Sequence, residues 1–157
     1  MTAPFQWRQP VTPAVIDYVA QHMRESDKRE LEAMHGRLDV SALARLLDCW
    51  VDFDMAIAIT DEHGVPAGIC GCDPGGMIWM LGTEELTSTR EHRRLLVEEG
   101  RKWVEELLAE DRGYLYNWCL ADNKTSIRWL EALGFTFAEP RPMGPSARLF
   151  RFFWMDN

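Results

Sequence analysis

The segment from Asn123 to Phe135 constrains the fold most, because it carries both a start and a stop signal for a helix. Asn123 is a favoured N-cap, since its side-chain oxygen can accept a hydrogen bond from an unpaired amide of the first turn. Gly134 supplies the left-handed residue that ends a helix, and Phe135 can pack back onto the last turn. Between them, apolar side chains recur at helical spacing, at Ile127, Leu130 and Leu133.

The rest of the chain predicts strands and helices arranged around this segment. An aromatic and apolar run directly before it, residues 114–120, is typical of a buried strand. Further strands are predicted over residues 5–8, 55–60, 65–72, 77–81 and 147–154. Helices are predicted from the Thr12-Pro13 start and over residues 26–34, 41–50 and 90–109. A meander of strands followed by alternating helices and strands is an α+β order.

The spacing of four residues in the first segment resembles that of a known family. The pattern N-x-x-S/A-x(7)-G-F, similar to the acetyl-CoA side of the GNAT N-acetyltransferases, is matched by Asn123, Ser126, Gly134 and Phe135. The sequences of residues 22–34 and 124–135 look most similar to those of GNAT-like proteins of tailed phages, some of which are internal virion proteins. The resemblance implies one GNAT-like domain over residues 1–157, with a mixed central sheet flanked by helices.

The resemblance also implies where acetyl-CoA, or CoA, binds. The cofactor would lie in the splay between the fourth and fifth strands, close to Asn123 and Ser126 of the motif helix. The amine acceptor would enter from residues 23–47. The pantetheine arm would bind backbone groups of the fourth strand, at Trp79, Met80 and Leu81.

The phosphate-binding loop departs from the family pattern. GNAT proteins bind the pyrophosphate on backbone amides at the start of the long helix, where unpaired N–H groups and the helix dipole face the anion. The usual loop is Q/R-x-x-G-x-G/A, but here Arg90 and His92 stand in the glycine positions. The alternative to anion binding is a charged helix start with ordinary caps. Arginine side chains and hydroxyl groups can bind phosphate in place of the backbone amides of a glycine loop. The residues at this helix start that carry such groups are Thr87, Ser88, Thr89, Arg90, Arg93 and Arg94.

The catalytic residues also depart from the family, because Leu130 stands where many GNAT enzymes place a tyrosine general acid. Tyr116 and Cys119, on the neighbouring predicted strand, are candidate proton donors, although aromatic strands are usually core. Asp122 is a candidate general base or simply a turn residue. The other candidate bases, or a solvated pair, are Glu84 and Glu85.

Two further features carry no predicted chemistry. The charges of residues 24–30 (RESDKRE) are interpreted as a solvated helix face. Cys70 and Cys72 share one face of a predicted strand, but a metal site needs about four ligands. Burial is therefore predicted for both cysteines, and no metal.

Composition narrows the classes of function. The net charge of -8 over 157 residues argues against a nucleic-acid partner. No apolar run approaches the roughly 20 residues of a membrane span, so no membrane association is predicted. Scattered cysteines and the lack of a signal-peptide pattern predict a reduced, cytoplasmic protein, in the host cytoplasm if the chain is phage-encoded.

The predicted last strand, residues 147–154, carries large apolar side chains on both faces. Leu149 and Phe153 are assigned to one face, and Phe150, Phe152 and Trp154 to the other. Because exposed apolar patches usually mark interfaces, we predict a homodimer or a docked partner on this strand. The alternative is that helices of the same chain cover both faces.

The predicted function follows from the resemblance. We expect a GNAT-like acyl-CoA-binding protein that transfers acetyl from acetyl-CoA to an amine of a protein substrate. The alternative is a catalytically degenerate phage-type fold that binds and modulates a host enzyme, or serves as a virion component.

Overall fold

The computed structural model describes residues 5–157, apart from the side chains of Phe53, Asp111 and Arg112. The helices are α1 (Pro13–Gln21), α2 (Glu25–His35), α3 (Val40–Phe53), α4 (Arg90–Leu107) and α5 (Lys124–Leu133). The strands are β1 (Phe5–Gln9), β2 (Met55–Asp61), β3 (Pro66–Cys72), β4 (Ile78–Gly82), β5 (Tyr114–Leu120), β6 (Thr136–Phe137), β7 (Arg141–Met143) and β8 (Arg148–Asp156). None of the described helices is long and apolar enough to cross a membrane.

Local signals place most helix ends where the sequence predicts them. Asn123 caps α5 by accepting a hydrogen bond from the Ser126 amide at 3.4 Å. Gly134 ends the same helix in the left-handed region, at φ 107°. Thr12 caps α1 in the same way, directly ahead of Pro13.

The start of α2 differs from the prediction. This helix begins at Glu25 and not at Ser26, and the side chain of its N-cap, Arg24, caps no backbone amide of the first turn. Its predicted end at Gly36 is confirmed, with φ 83°. α3 begins one residue earlier than predicted, because the Asp39 carboxylate accepts a first-turn amide at 2.8 Å, and it also ends three residues later, at Phe53.

The strands form two sheets, and helices pack on both sides of them. One sheet is antiparallel in the order β1-β2-β3-β4, and the other has the order β5-β8-β6, with β7 also paired to β8. The short β6 and β7 are not predicted, since two or three residues carry no alternating pattern. α4 and α5 pack on one side, and the predicted burial of Cys70 and Cys72 in that core is confirmed. α1 and α3 pack against β3 and β4 on the other side, and α2 packs near Leu120 and Phe150. The predicted α+β fold is confirmed.

The two sheets meet at a single point between β4 and β5. Met77 and Tyr116 form an isolated parallel bridge there, and the Tyr116 amide donates to the Gly76 carbonyl at 2.9 Å. The Asn117 side chain bonds the Ile78 carbonyl just beyond. The strands then diverge, and we call the space between them the fork. It is bounded by the rest of β4 and the rest of β5.

The last strand, β8, is covered on both faces only in part. Phe150 and Phe153 are buried, with 1% and 5% of their surface exposed. Leu149, assigned to the same face as Phe153, is 51% exposed. The predicted homodimer stays a prediction. On the side away from α4, a row of partly exposed rings joins β5 to β8, consisting of Tyr114, Tyr116, Trp118, Phe152 and Trp154.

The meeting point of β4 and β5 generates a stability prediction. Gly76 has φ 98°, and a Cβ there would collide with the Tyr114 carbonyl oxygen. Gly76→Ala should therefore lower the free energy of unfolding by about 2 kcal/mol or more. Gly75→Ala is the matched control, since its Cβ would only touch the Asp73 carboxylate at 3.4 Å, and should change stability by less than about 0.5 kcal/mol. Urea unfolding followed by tryptophan fluorescence measures both; equal effects would contradict the constraint.

Candidate functional site

The free edge of β4 in the fork is paired by residues from the start of α2. The Gly82 amide donates to the Asp27 carboxylate at 2.9 Å, and the Gly82 carbonyl accepts the Arg24 amide at 2.8 Å. Met23 forms an isolated antiparallel bridge with Thr83. The chain therefore adds its own short strand-like segment to the end of β4. Because hydrogen-bonding directions alternate along a strand, the backbone groups of Met80 face the same side as those of Gly82.

The opposite side of the fork is also bonded by α2. One carboxylate oxygen of Glu30 accepts the Leu120 amide at 2.6 Å, and the other accepts the Asn123 side-chain amide at 3.3 Å. The Cys119 thiol is a third hydrogen-bonding partner of the same carboxylate. Asp27 and Glu30, one turn apart on α2, thus connect the ends of β4 and β5 across the fork.

The electrostatics of these two carboxylates differ. Arg24 makes a bidentate pair with Asp27, at 2.9 and 3.0 Å, so that charge is compensated. Glu30 accepts only neutral donors in these bonds. Burial raises the pKa of Glu30 to about 7, the Asp27 charge adds to the rise, and the bond from Leu120 opposes it. Burial and the neighbouring Glu30 also raise the pKa of Cys119, so its thiol stays protonated at neutral pH.

The arginine side chains of the predicted basic cluster at the start of α4 make separate contacts. The Arg93 guanidinium donates to the Thr87 carbonyl at 2.9 Å, and Arg94 pairs with Glu98 further along the helix at 3.7 Å. Arg90 is exposed at the first turn. The hydroxyl of Thr89 caps the helix by accepting the His92 amide at 3.0 Å.

His92 stands in one of the family's glycine positions but does not project from the helix start. Its ring is buried against Phe5, with ring centroids 4.3 Å apart. Its Nδ1 lies 2.9 Å from the Glu85 carbonyl and 3.0 Å from the Ser88 hydroxyl. Of the two residues in the family's glycine positions, His92 is therefore turned inward, whereas Arg90 is exposed.

A polar pocket opens at the wide end of the fork, with a volume of about 320 Å³. Three cationic side chains line it, Arg24, Arg29 and Lys124. Acidic groups at its rim belong to Glu84 and Asp122. The remaining lining residues offer hydroxyls and an amide, and they are Ser26, Thr87, Asn123, Thr125 and Ser126. The pocket joins the end of β4 to the start of α5.

The structure brings together only some of the residues proposed from the sequence. Glu84, Thr87, Asp122, Asn123 and Ser126 meet at the pocket, where Asp122 is exposed and also pairs with Arg148 at 2.9 Å. The Trp79 indole bonds Asp54 at 2.6 Å, and the Leu81 side chain is part of the α1–α3 core. Tyr116 lies in the row of rings, 5.7 Å from Tyr114 and 5.9 Å from Phe152.

The sequence interpretation misses Asp27 and Glu30, because it assigns both to a solvated helix face. That prediction is wrong for both, because Asp27 is 4% exposed and Glu30 is bonded across the fork. A helical wheel contains a usable signal: Asp27 and Glu30 lie on the same side as Leu31, which is also buried. No group of three or more His, Cys, Asp or Glu side chains in the described part of the chain could hold a metal ion.

The element order and the fork define the fold of the GNAT acetyltransferases. The chain superposes on spermidine N-acetyltransferase from Vibrio cholerae, solved in complex with CoA and spermine, with TM-score 0.69 and 8% identity over 99% of this chain and 96% of that one. It also superposes on ribosomal-protein-S5-alanine acetyltransferase from Vibrio fischeri, with TM-score 0.66 and 13% identity over 100% of this chain and 95% of that one. A third similar structure, a putative acetyltransferase from Acinetobacter baylyi, has TM-score 0.66 and 11% identity over 100% of this chain and 95% of that one. No protein-family model and no curated protein sequence matches the chain.

The raised pKa of Glu30 generates a pH prediction. The folded state binds more protons than the unfolded state between the ordinary pKa, 4.5, and about 7, so this contribution to stability is present at low pH and lost as pH rises through 7. At pH 8 the ionised, buried carboxylate should cost about 2–3 kcal/mol relative to pH 4. Glu30→Gln should remove this dependence, whereas Glu25→Gln, at an exposed site, should keep it. Urea unfolding between pH 4 and 8 measures both; parallel curves for wild type and Glu30→Gln would contradict it.

Proposed function

We propose that the chain is an acyl-CoA-binding domain with N-acetyltransferase chemistry, and that CoA binds in the fork. The single observation that carries the proposal is the fork itself. Its β4 edge offers Met80 and Gly82 backbone groups beside the start of α5, within a fold shared with acetyltransferases. Bound acyl-CoA would supply the thioester that an amine attacks.

The residues at the mouth of the fork suit the anionic end of CoA. His92 is turned inward at the first turn of α4, where Thr89, Arg90 and Arg93 also stand. Unpaired first-turn amides and arginine side chains both favour phosphate. The polar pocket adds the side chains of Arg24, Arg29 and Lys124. The pantetheine path fits only when Asp27 and Glu30 leave the β4 and β5 edges.

The proposed acceptor is an amine, either a protein lysine or N-terminus or a small polyamine. A protein amine is the prediction from the sequence, and the similar structures include one enzyme named for spermidine and one for a ribosomal protein. The net charge of -8 suits a cationic acceptor of either kind. Cys119, protonated and close to the fork, and Tyr116 remain the candidate donors to the departing thiolate.

A second candidate function is binding without catalysis, as a protein that modulates a host enzyme or forms part of a virion. Two observations favour it: Leu130 is buried where the family's tyrosine would stand, and α2 fills the fork. Thiol release from acetyl-CoA, measured with polyamines and with a protein lysate, separates the two functions. Release above the amine-free background supports the transferase.

The phosphate contacts generate a binding prediction. Arg90→Ala combined with Arg93→Ala should weaken acetyl-CoA binding by about tenfold or more, because each charged hydrogen bond to phosphate is worth about 1.5–3 kcal/mol. Thermal stability should be nearly unchanged, since both side chains are exposed. Arg141→Ala, exposed on β7, is the matched control with the same change of charge per site. Calorimetry measures the affinities; an unchanged dissociation constant for the double variant would remove these residues from the site.

A further inference from the structure

We propose that residues 23–30, the plug segment, close the fork against CoA and must move out before the cofactor binds. This inference concerns the regulation of the site and rests on the proposed function. The plug segment comprises the strand-like residues Met23 and Arg24 and the first turns of α2. In the closed arrangement it takes the hydrogen-bonding positions that a pantetheine arm would need.

First, the plug segment occupies the free edge of β4. The Gly82 amide and carbonyl are both engaged, by Asp27 at 2.9 Å and by the Arg24 amide at 2.8 Å. The Met23–Thr83 bridge extends the pairing beyond the end of β4. A ligand that adds to this edge as an extra strand must first break these bonds.

Second, the plug segment occupies the end of β5. Glu30 accepts the Leu120 amide at 2.6 Å and the Asn123 side-chain amide at 3.3 Å. Asn123 is also the cap of α5, since its oxygen accepts the Ser126 amide. The plug segment is therefore bonded to both arms of the fork.

Third, an anionic ligand offers the plug segment a different set of partners. Arg24 is paired with Asp27 but also lines the polar pocket, together with Arg29 and Lys124. A phosphate in that pocket would compete with Asp27 for Arg24, and the Gly82 amide would lose the compensated carboxylate that it donates to. A ligand shifts a conformational equilibrium only through such differential contacts.

Fourth, the surroundings leave room for movement. A second cavity of about 430 Å³ lies on the other side of α2, lined by Glu25, Ser26, Arg29, Glu32, Ala33, Ser146 and Arg148. Gly36, with φ 83°, ends α2, and Arg24, with ψ 142°, precedes it outside helical geometry. α2 is thus bounded by a non-helical residue at each end and by a cavity at its flank.

The test compares acetyl-CoA binding by wild type and by Asp27→Ala combined with Glu30→Ala. If the closed state holds 90% or more of the molecules, removing its bonds should tighten binding by about tenfold or more, because only the open fraction binds. The control is Asp17→Ala combined with Glu131→Ala, which removes two exposed charges of the same sign outside the plug segment and both cavities. Calorimetry gives the dissociation constants, and circular dichroism checks that each variant is folded.

Hydrogen exchange of the wild-type chain provides a second measurement that needs no variant. Saturating acetyl-CoA should increase exchange in residues 23–31 and decrease it in residues 78–83. The plug is supported if the variant with Asp27→Ala and Glu30→Ala, the fork variant, binds acetyl-CoA more tightly and if the wild type shows both of these changes in exchange. Binding by wild type with unchanged exchange in residues 23–31 and equal affinities overturns the plug and leaves the proposed function standing. Absence of binding to wild type and to the folded fork variant overturns both.

Discussion

The structure depends on one constraint, the single point at which β4 and β5 touch. Met77 and Tyr116 bridge the two sheets, and Gly76 supplies the carbonyl that fixes the Tyr116 amide. Because the strands pair only there, their remaining edges carry unsatisfied backbone groups, which must find partners in the protein, in water or in a ligand. Arg24, Asp27 and Glu30 are such partners within the protein.

The fork shows why a buried carboxylate can serve a purpose other than stability. Glu30 is desolvated and accepts neutral donors, so its ionised form is costly, whereas Asp27 is compensated by Arg24. A closure built from one compensated and one uncompensated charge is weaker than a hydrophobic plug of the same size. Weak closure is compatible with a ligand that competes for the same amides.

The sequence predicted the fold well wherever the signal was local. The cap at Asn123, the left-handed Gly134 and the strand before them lie within one stretch of chain, so their geometry follows from short-range chemistry. The contacts of Asp27 and Glu30 were not predictable in that way. Their partners, Gly82 and Leu120, are 55 and 90 residues distant, and a charged helical turn has the same pattern whether it faces water or a strand edge.

The order of strands in the second sheet has a consequence for synthesis. β8 is the last of these strands in the chain, yet it lies between β5 and β6 and also pairs with β7. On the ribosome, β5 can therefore pair with β8 only after residues 148–156 have been synthesised, whereas β1 to β4 can already pair with one another. One wall of the fork can form before residues 148–156 are synthesised and the other only after them, so a nascent chain that lacks β8 carries half a site.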